Sequence, residues 1–583
     1  MTTAPLSTSP NRLLTTIRSN ALPLGILILL TVAIGVPMVV MILFTFGAPD
    51  SIGVGDALAS FNFNNYDKVF GDPSTYRLLL NTIGYAAGSI TFGLSIALVL
   101  AWLVERTDMP GRTLLYSLMF IPMAIPPFAT ATGWLLLLGP NAGAINVWVR
   151  DLFELTTMRG PFSIYSIWGM IFVTGLAVAP TMWLLLLANF RNMDPALEEA
   201  GSTVGFNRLN VLRRITVPLM RPGTMGVIAY YGVVALAIFE IPLAIGTRAG
   251  IPVLSTQLFL LTRSGALEGE PNYGIAATFG LISMVAAAFF MYIYLRVLRD
   301  SARFSVVTGK GFRPKRIGLK KFKWLALGIV LLYFLAQVIA PFLMLLWSSF
   351  LPYYRTPSFE ALSYFSFINY QDLFENPRFN SAVINTIIVV LVSSTLVVGL
   401  AAVISWLVVR RPSPITKLIN IVAFSPLALP ATVVSLALLV LFIPTPLYGS
   451  IILLIIGYTI GLLAFTTRLT NAAQIQLDKS LEEAAMTSGL SPVSTFFRIT
   501  IVLMLPALLN GWMWAAVHIV RNFTLPLFLA GFSSPMMANI IFQRFENGGP
   551  EAGAAPIVLL VIAVMIMAFA SRRLFQSDNA GAN

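Results

Sequence analysis

Apolar residues run along this chain in long stretches separated by short polar segments. A helix rising 1.5 Å per residue needs about 20 such residues to cross a hydrocarbon core. Stretches of that length fall near 22–46, 78–104, 113–139, 166–189, 223–246 and 273–297. A second set falls near 324–349, 383–409, 416–443, 447–467, 505–531 and 554–571. The pattern predicts an all-α membrane protein with twelve transmembrane helices in two sets of six. The first stretch lacks a small-residue cleavage site before the next polar segment, so it reads as a retained helix rather than a signal peptide.

Composition narrows the function classes. Of 583 residues, 57% are hydrophobic and only 10% charged, whereas a soluble domain carries about 25% charge. An ordinary water-soluble enzyme is excluded. The net charge of +13 would suggest nucleic acid if it were not so unevenly placed. Of the 37 basic residues, 27 lie in the N-terminus, in the loops at 105–112, 190–222, 296–323, 410–417 and 468–504, and in the C-terminus. The opposite-side loops hold nine, against 13 acidic residues, and Arg521 lies inside a stretch. The positive-inside rule then puts both termini in the cytoplasm. The charge reports topology, and nucleic-acid binding is not expected.

The chain has no cysteine and one histidine, His518, which excludes disulfides, thiol nucleophiles and Cys-ligated metals. A His-based metal site and Ser-His-Asp chemistry are excluded with them. No phosphate-cradling GxxxxGK[ST] loop occurs, since Gly309-Lys310-Gly311 lacks both the upstream glycine and the Ser/Thr. The expectation is a conduit rather than an enzyme, with no cofactor bound by this chain.

The two sets of stretches resemble each other. Asn65-Tyr66, Phe70, Pro73 and Asn81-Thr82-Ile83 recur at an offset of 304 as Asn369-Tyr370, Phe374, Pro377 and Asn385-Thr386-Ile387. At the same offset Trp102, Arg106 and Pro110 match Trp406, Arg410 and Pro414, and Pro122 and Pro126 match Pro426 and Pro430. Further on the offset is 284, so the first half carries about 20 extra residues, which fit the outer loop around 140–165. With six spans per half, the repeats are expected to be parallel, about a pseudo-twofold along the membrane normal. The expected division is 1–298 and 323–583 as the halves, joined by a basic cytoplasmic linker at 299–322 that contains Arg313, Lys315 and Arg316.

The best-matched stretch lies between the fourth and fifth spans of each half, at 194–222 and 478–506, where 13 of 29 positions are identical. Asp194 and Asp478 are good helix caps, and Pro195 suits a first helical position. Glu198, Glu199, Glu482 and Glu483 suit the positive end of a short helix. Gly205 and Gly489 permit the left-handed turn that ends it. Ser491-Pro492 then begins another helix. Small residues follow the acidic pair, Ala200-Gly201 in one copy and Ala484-Ala485 in the other, where another protein could approach closely. A solvated connector would need no such duplication; a docking element would.

These residues resemble the EAA loop of ABC-importer permeases. The motif stands as Glu199-Ala200-Gly201, Gly205 and Ile215-Thr216-Val217-Pro218, and again as Glu483-Ala484-Ala485, Gly489 and Ile499-Thr500-Ile501-Val502. The first copy departs at Gly201 and Val217, and the second lacks the closing proline at Val502. The whole chain resembles a fused double permease of the ferric-iron type, and the phrases MDPALEEAG and FIPMAIPPFATATGW strengthen the likeness. The resemblance implies a type I importer fold and ATPase-coupling loops. It further implies partners: two copies of a cytoplasmic ABC ATPase carrying ATP and Mg, and an extracytoplasmic binding protein that delivers substrate at a bacterial inner membrane. Ferric iron is the expected cargo, with thiamine, polyamine, phosphonate and sugar phosphate served by similar permeases.

Ionisable residues at membrane depth are costly and default to functional hypotheses. Glu240, His518 and Arg521 qualify. At an offset of 284 Glu240 corresponds to Thr524 and Arg521 to Ala237, while Pro242 matches Pro526. Across the pseudo-twofold, Glu240 and Arg521 could face one another, and the cluster reads as a pathway or gate, as a structural ion pair, or as contacts to backbone carbonyls. One carboxylate and one histidine are too few hard ligands for a ferric site, so no metal site is expected. Pro122, Pro126, Pro127, Pro426 and Pro430 predict either packing kinks or discontinuous helices in spans three and nine. Two other functions compete. An ion-coupled secondary transporter would use Glu240 and His518 but leaves the EAA-type loops without a purpose. An integral membrane enzyme would need paired carboxylates or metal ligands that the spans do not hold.

Overall fold

A computed structural model of the chain describes residues 21–48, 51–192, 195–263, 271–301 and 318–580. Asp194 and the linker residues Arg313, Lys315 and Arg316 lie outside the described residues. Regular structure among the described residues is helical, apart from one isolated bridge between Gly449 and Ala530. Eight helices are long and apolar enough to cross a membrane: Ala21–Phe44, Pro73–Arg106, Ile167–Arg191, Tyr273–Val297, Lys320–Ser349, Pro377–Arg410, Ile451–Gln476 and Pro492–Arg521.

Three further pairs of helices are apolar enough to cross only when taken together across a bend, and the bends follow from backbone chemistry. Arg112–Ala124 and Pro127–Leu138 meet at 87°, and Pro414–Ala428 and Ala431–Phe442 meet at 104°. Proline removes a helix donor and disfavours helical geometry in the residue before it. Accordingly Ile125 and Leu429, each preceding a proline, are extended, with ψ of 130° and 125°. The proline clusters therefore break these helices outright, beyond the packing kink that the sequence left open. Arg213–Ala237 and Pro242–Ala249 meet at 48°, with Glu240 in the gap. The shorter apolar helix Ala554–Ala570 follows.

The two 34-residue helices Pro73–Arg106 and Pro377–Arg410 organise the rest. Each starts at a proline in the first helical position under a side-chain cap. Asp72 accepts from the Ser74 amide at 2.8 Å, and Asn376 from the Arg378 amide at 2.9 Å. Pro73–Arg106 packs on Ile167–Asn192 through small residues: the Cα of Gly93 lies so close to Gly175 that a methyl group there would meet its carbonyl at 3.0 Å. Such glycine contacts let helix backbones approach where lipid offers no hydrophobic drive.

The repeated Asn-Tyr pair has a structural job. Asn65, fully buried, donates to the carbonyls of Thr45 (3.1 Å) and Gly47 (2.7 Å) at the end of the first crossing. Asn369 does the same for Ser349 (3.1 Å) and Leu351 (2.7 Å). Tyr66 and Tyr370 bond the hydroxyls of Thr45 and Ser349, both at 2.8 Å. Orphan carbonyls at two helix ends are thus satisfied by the same residues 304 positions apart.

The halves are also stapled asymmetrically. Asp108 accepts from the Leu319 amide at 2.8 Å and pairs with Lys323 at 2.8 Å, tying the start of Lys320–Ser349 to the first half. The position matching Asp108 at offset 304 is Pro412, so the second half has no copy of the staple. The Lys323 hydrogen bond, with the Leu319 amide, holds the Asp108 carboxyl below the ordinary carboxylate range. A depressed folded-state pKa stabilises the fold fully above the ordinary value, and that stability disappears as pH falls through the depressed one. Asp108→Asn is therefore expected to flatten the acid limb of thermal stability measured in detergent between about pH 5 and pH 3. A variant that tracks the parent over that window would show that the staple contributes nothing.

Candidate functional site

The two EAA-type stretches fold alike. Pro195–Thr203 and Lys479–Thr487 are short helices, each ended by a glycine, Gly205 and Gly489, at φ +91°. That left-handed geometry is strained for any residue with a Cβ. Asp478 caps the second helix, accepting from the Ser480 amide at 2.9 Å, and that amide keeps its carboxyl below the ordinary range. Ser491 caps the next helix through the Ser494 amide at 3.2 Å.

The acidic pair divides its labour. Glu482 is buried, and its Oε1 accepts from Arg410 Nε (3.0 Å), Gln474 Nε2 (3.1 Å) and Thr500 Oγ1 (3.0 Å). Arg410 also donates to the Leu477 carbonyl at 2.8 Å. In the first copy Glu198 accepts from Thr216 at 2.6 Å and pairs with Arg106 at 3.6 Å, while Arg106 donates to the Phe190 carbonyl at 3.2 Å. Each short helix is thus latched onto the arginine that ends a 34-residue helix. Glu198 and Glu482, read from the sequence as complementing a helix dipole on a docking surface, instead face inward.

What faces outward is the other side of the same helices. Glu483 is exposed and pairs with Lys479 at 2.8 Å; the side chain of Glu199 lies outside the described residues. Ala200 and Ala484 are exposed, whereas Gly201 and Ala485 are buried. Beside them Leu197, Val204, Leu481 and Met486 are exposed, Val204 by 78%. Clustered apolar residues on a polar loop mark an interaction surface.

At the opposite, proline ends of the long helices the repeated Asn-Thr pair acts on two further short helices, Leu254–Arg263 and Met537–Gly548. Asn81 donates to the Pro252 carbonyl at 3.3 Å, and Thr82 accepts from the Leu254 amide at 2.9 Å. Asn385 and Thr386 repeat this with Pro535 (3.0 Å) and Met537 (3.1 Å). Irregular backbone at membrane depth needs such partners.

Between the halves, Thr524 donates to Glu240 at 3.4 Å. Arg521 does not meet Glu240 directly; its guanidinium donates to the Met123 carbonyl, at the end of the helix that breaks before Pro126. His518 packs on Trp514 of its own helix, with ring centroids 4.0 Å apart and its Nδ1 3.3 Å from the Trp514 carbonyl. It is therefore not brought together with Glu240. Pro242 and Pro526 are both buried, and the Pro526 carbonyl accepts from Asn539 at 2.9 Å. A layer of aromatic rings lies alongside: Phe128 stacks on Phe523 at 4.7 Å, and Phe528 contacts Phe239 and Phe259 at 5.9 and 5.3 Å. Beyond it Arg263 pairs with Glu546 at 3.2 Å, and Arg248 donates to the Phe545 carbonyl at 2.9 Å with its guanidinium over the ring. Among the described residues no group of three or more acidic, His or Cys side chains is placed to hold a metal ion.

Sequence reasoning matched Arg106 with Arg410 and Asn81-Thr82 with Asn385-Thr386 but gave them no role. Their recurrence beside a recurring glutamate was the available signal. The latches yield a prediction. Removing one partner of a buried pair costs about 3–5 kcal/mol, so Arg410→Leu is expected to lower thermal stability in detergent sharply. Arg106→Leu should cost less, because its pair is longer and Phe190 stands where Gln474 supports the second latch. Equal shifts at the two sites would contradict that ranking.

Residues 396–579 match the family described as binding-protein-dependent transport system inner membrane component. The chain is 24% identical over 512 residues to the ferric transport system permease protein FbpB of Actinobacillus pleuropneumoniae, covering 86% of this chain and 72% of that protein. It is 21% identical over 541 residues to the Fe(3+)-transport system permease protein FbpB 2 of Haemophilus influenzae, covering 92% and 95%. A chain in the crystal structure of a bacterial alginate ABC transporter, in complex with an alginate pentasaccharide-bound periplasmic protein, overlaps at TM-score 0.38 and 21% identity, over 51% of this chain and 99% of that one. With that family's domain matched over residues 396–579 and permease relatives at 21–24% identity along most of its length, the chain is similar to inner-membrane permeases of binding-protein-dependent import systems.

Proposed function

We propose that the chain is the whole membrane pathway of an ATP-driven importer for ferric iron, delivered by an extracytoplasmic binding protein. The observation that carries the reading is the duplicated short helix with its exposed apolar face, Leu197, Ala200 and Val204 in one copy and Leu481, Ala484 and Met486 in the other. The iron assignment rests on the names of the relatives. ATP and Mg belong to two ATPase subunits seated on these faces, and both termini lie in the cytoplasm with the loops.

In this reading twelve crossings form two parallel halves: eight unbroken, three broken, and Ala554–Ala570 as the last. A pseudo-twofold axis has a simple signature, because a residue that touches its own counterpart must lie beside it. Glu240 and Thr524 are counterparts at offset 284 and hydrogen bond each other, which supports an axis, and hence a pathway, running between them. Along it the ion pair Arg263–Glu546 and the aromatic layer close the outer side. Glu240 then offers a single carboxylate to a passing cation, an attraction too weak to trap it. Arg521, held on the Met123 carbonyl, steadies the broken third crossing next to that point.

Proteoliposomes holding this chain, the ATPase and the binding protein should take up radioactive ferric iron only with ATP inside. Glu199→Lys combined with Glu483→Lys should abolish copurification of the ATPase. Uptake by the chain alone, driven by a proton gradient, would overturn the importer reading in favour of a secondary transporter. In the same assay Glu240→Gln should lower the uptake rate by about tenfold, the scale of a single charge–charge attraction at about 4 Å in a largely hydrated path, with the complex still assembled. An unchanged rate would remove Glu240 from the pathway.

A further inference from the structure

The latch sits at one end of a long helix and the clamp about nine residues in from the other, and this is true in both halves. Arg106 and Thr82 belong to Pro73–Arg106, and Arg410 and Thr386 to Pro377–Arg410. At 1.5 Å per residue, latch and clamp are about 36 Å apart in each. Neither helix contains an internal proline or a wide turn, whereas several neighbours do. Wide five-residue turns interrupt the crossings at Thr31–Gly35, Leu335–Ile339 and Pro242–Gly246, and others open the helices at Leu212–Thr216 and Phe496–Thr500. Helices bend at such places; these two have neither a proline nor a wide turn inside them, and the Gly88-Ser89 pair of the first is packed against Ile171.

We propose that the two 34-residue helices are coupling rods, and that Arg106 and Arg410 are positioning residues which act through Glu198 and Glu482. The docking helix is fixed to one end of the rod by a buried ion pair and a backbone carbonyl. The short helix Leu254–Arg263 or Met537–Gly548 is fixed to the other end by a side-chain amide and a hydroxyl that grip its first turn. Those two short helices carry Arg263 and Glu546, whose ion pair closes the space between the halves. A displacement of a docking helix therefore reaches the Arg263–Glu546 pair through one continuous helix, with no intervening loop to absorb it. The two rods differ in grip. The second latch adds Gln474 and shortens the ion pair to 3.0 Å, against 3.6 Å in the first, so the second docking helix drives its rod more stiffly.

This inference rests on the importer reading. In the reconstituted complex, the wild-type chain must first bind the ATPase and show stimulation of ATP hydrolysis by the loaded binding protein; failure there sinks the importer reading itself. The decisive variant is then the far-end pair Asn385→Ala with Thr386→Val, which touches no residue of the docking face. The ratio of stimulated to basal ATP hydrolysis is expected to fall about tenfold, within the range of coupling between distant sites, and Arg410→Gln should produce the same fall, with Arg410→Lys recovering part of it. A wild-type ratio in the far-end variant would overturn the proposal. Because the chain has no cysteine, Glu546→Cys, on the short helix held by the second rod, supplies a second measurement that leaves the far-end clamp intact. Its maleimide labelling rate should change with the nucleotide state of the ATPase, and Arg410→Gln should abolish that change. Persistence of the nucleotide response in the Arg410→Gln background would overturn the proposal equally.

Discussion

Hydrocarbon offers no water to an unpaired carbonyl or amide, and this chain breaks three of its crossings. Every freed backbone group must then find a side chain, since each one left without a partner costs several kcal/mol on the order of hydrocarbon transfer. Several polar side chains do this work. Asn65 and Asn369 hold the end of a crossing, Asn81 and Asn385 hold the carbonyl before a short helix, Thr82 and Thr386 hold its first amide, and Arg521 holds Met123. The breaks give the protein movable parts, and these contacts decide where each part is attached.

That constraint explains what the sequence made legible. Long apolar runs must be crossings, and the glycines at 205 and 489 must end helices, because few other solutions exist. The recurrence of Asn-Tyr and Asn-Thr pairs was visible for the same reason: a backbone group that needs a partner in one half needs it in the other. Partner identity was not visible. Glu198 pairs with Arg106 across more than 90 positions, and Glu482 with Arg410 across 72, distances over which periodicity carries no information. Of the readings open for Glu240 and Arg521, the contact to a backbone carbonyl is the one Arg521 makes, because the break before Pro126 leaves the Met123 carbonyl within its reach. Helix breaks were foreseen only as one of two outcomes, since proline chemistry permits both a kink and a break and the surrounding packing selects between them.

Function divides between the symmetric and the asymmetric features. Latches, clamps and the short helices they hold are duplicated. Asp108, Arg521, Glu240 and the extra segment around Ala144–Leu152 occur once. These single features lie where the halves meet each other or where one outside partner would approach.

The hydrogen bond between Glu240 and Thr524 has a further meaning for the architecture. Were the two halves separate identical chains, the residue at this place would have to face a copy of itself. A glutamate would then confront a glutamate at close range in a poorly solvated setting, and one of the two would be forced to take up a proton. Joining the halves in one polypeptide frees the two positions to differ. A lone negative charge with a neutral hydroxyl opposite is open to two positions of one polypeptide, as it is not to two identical chains.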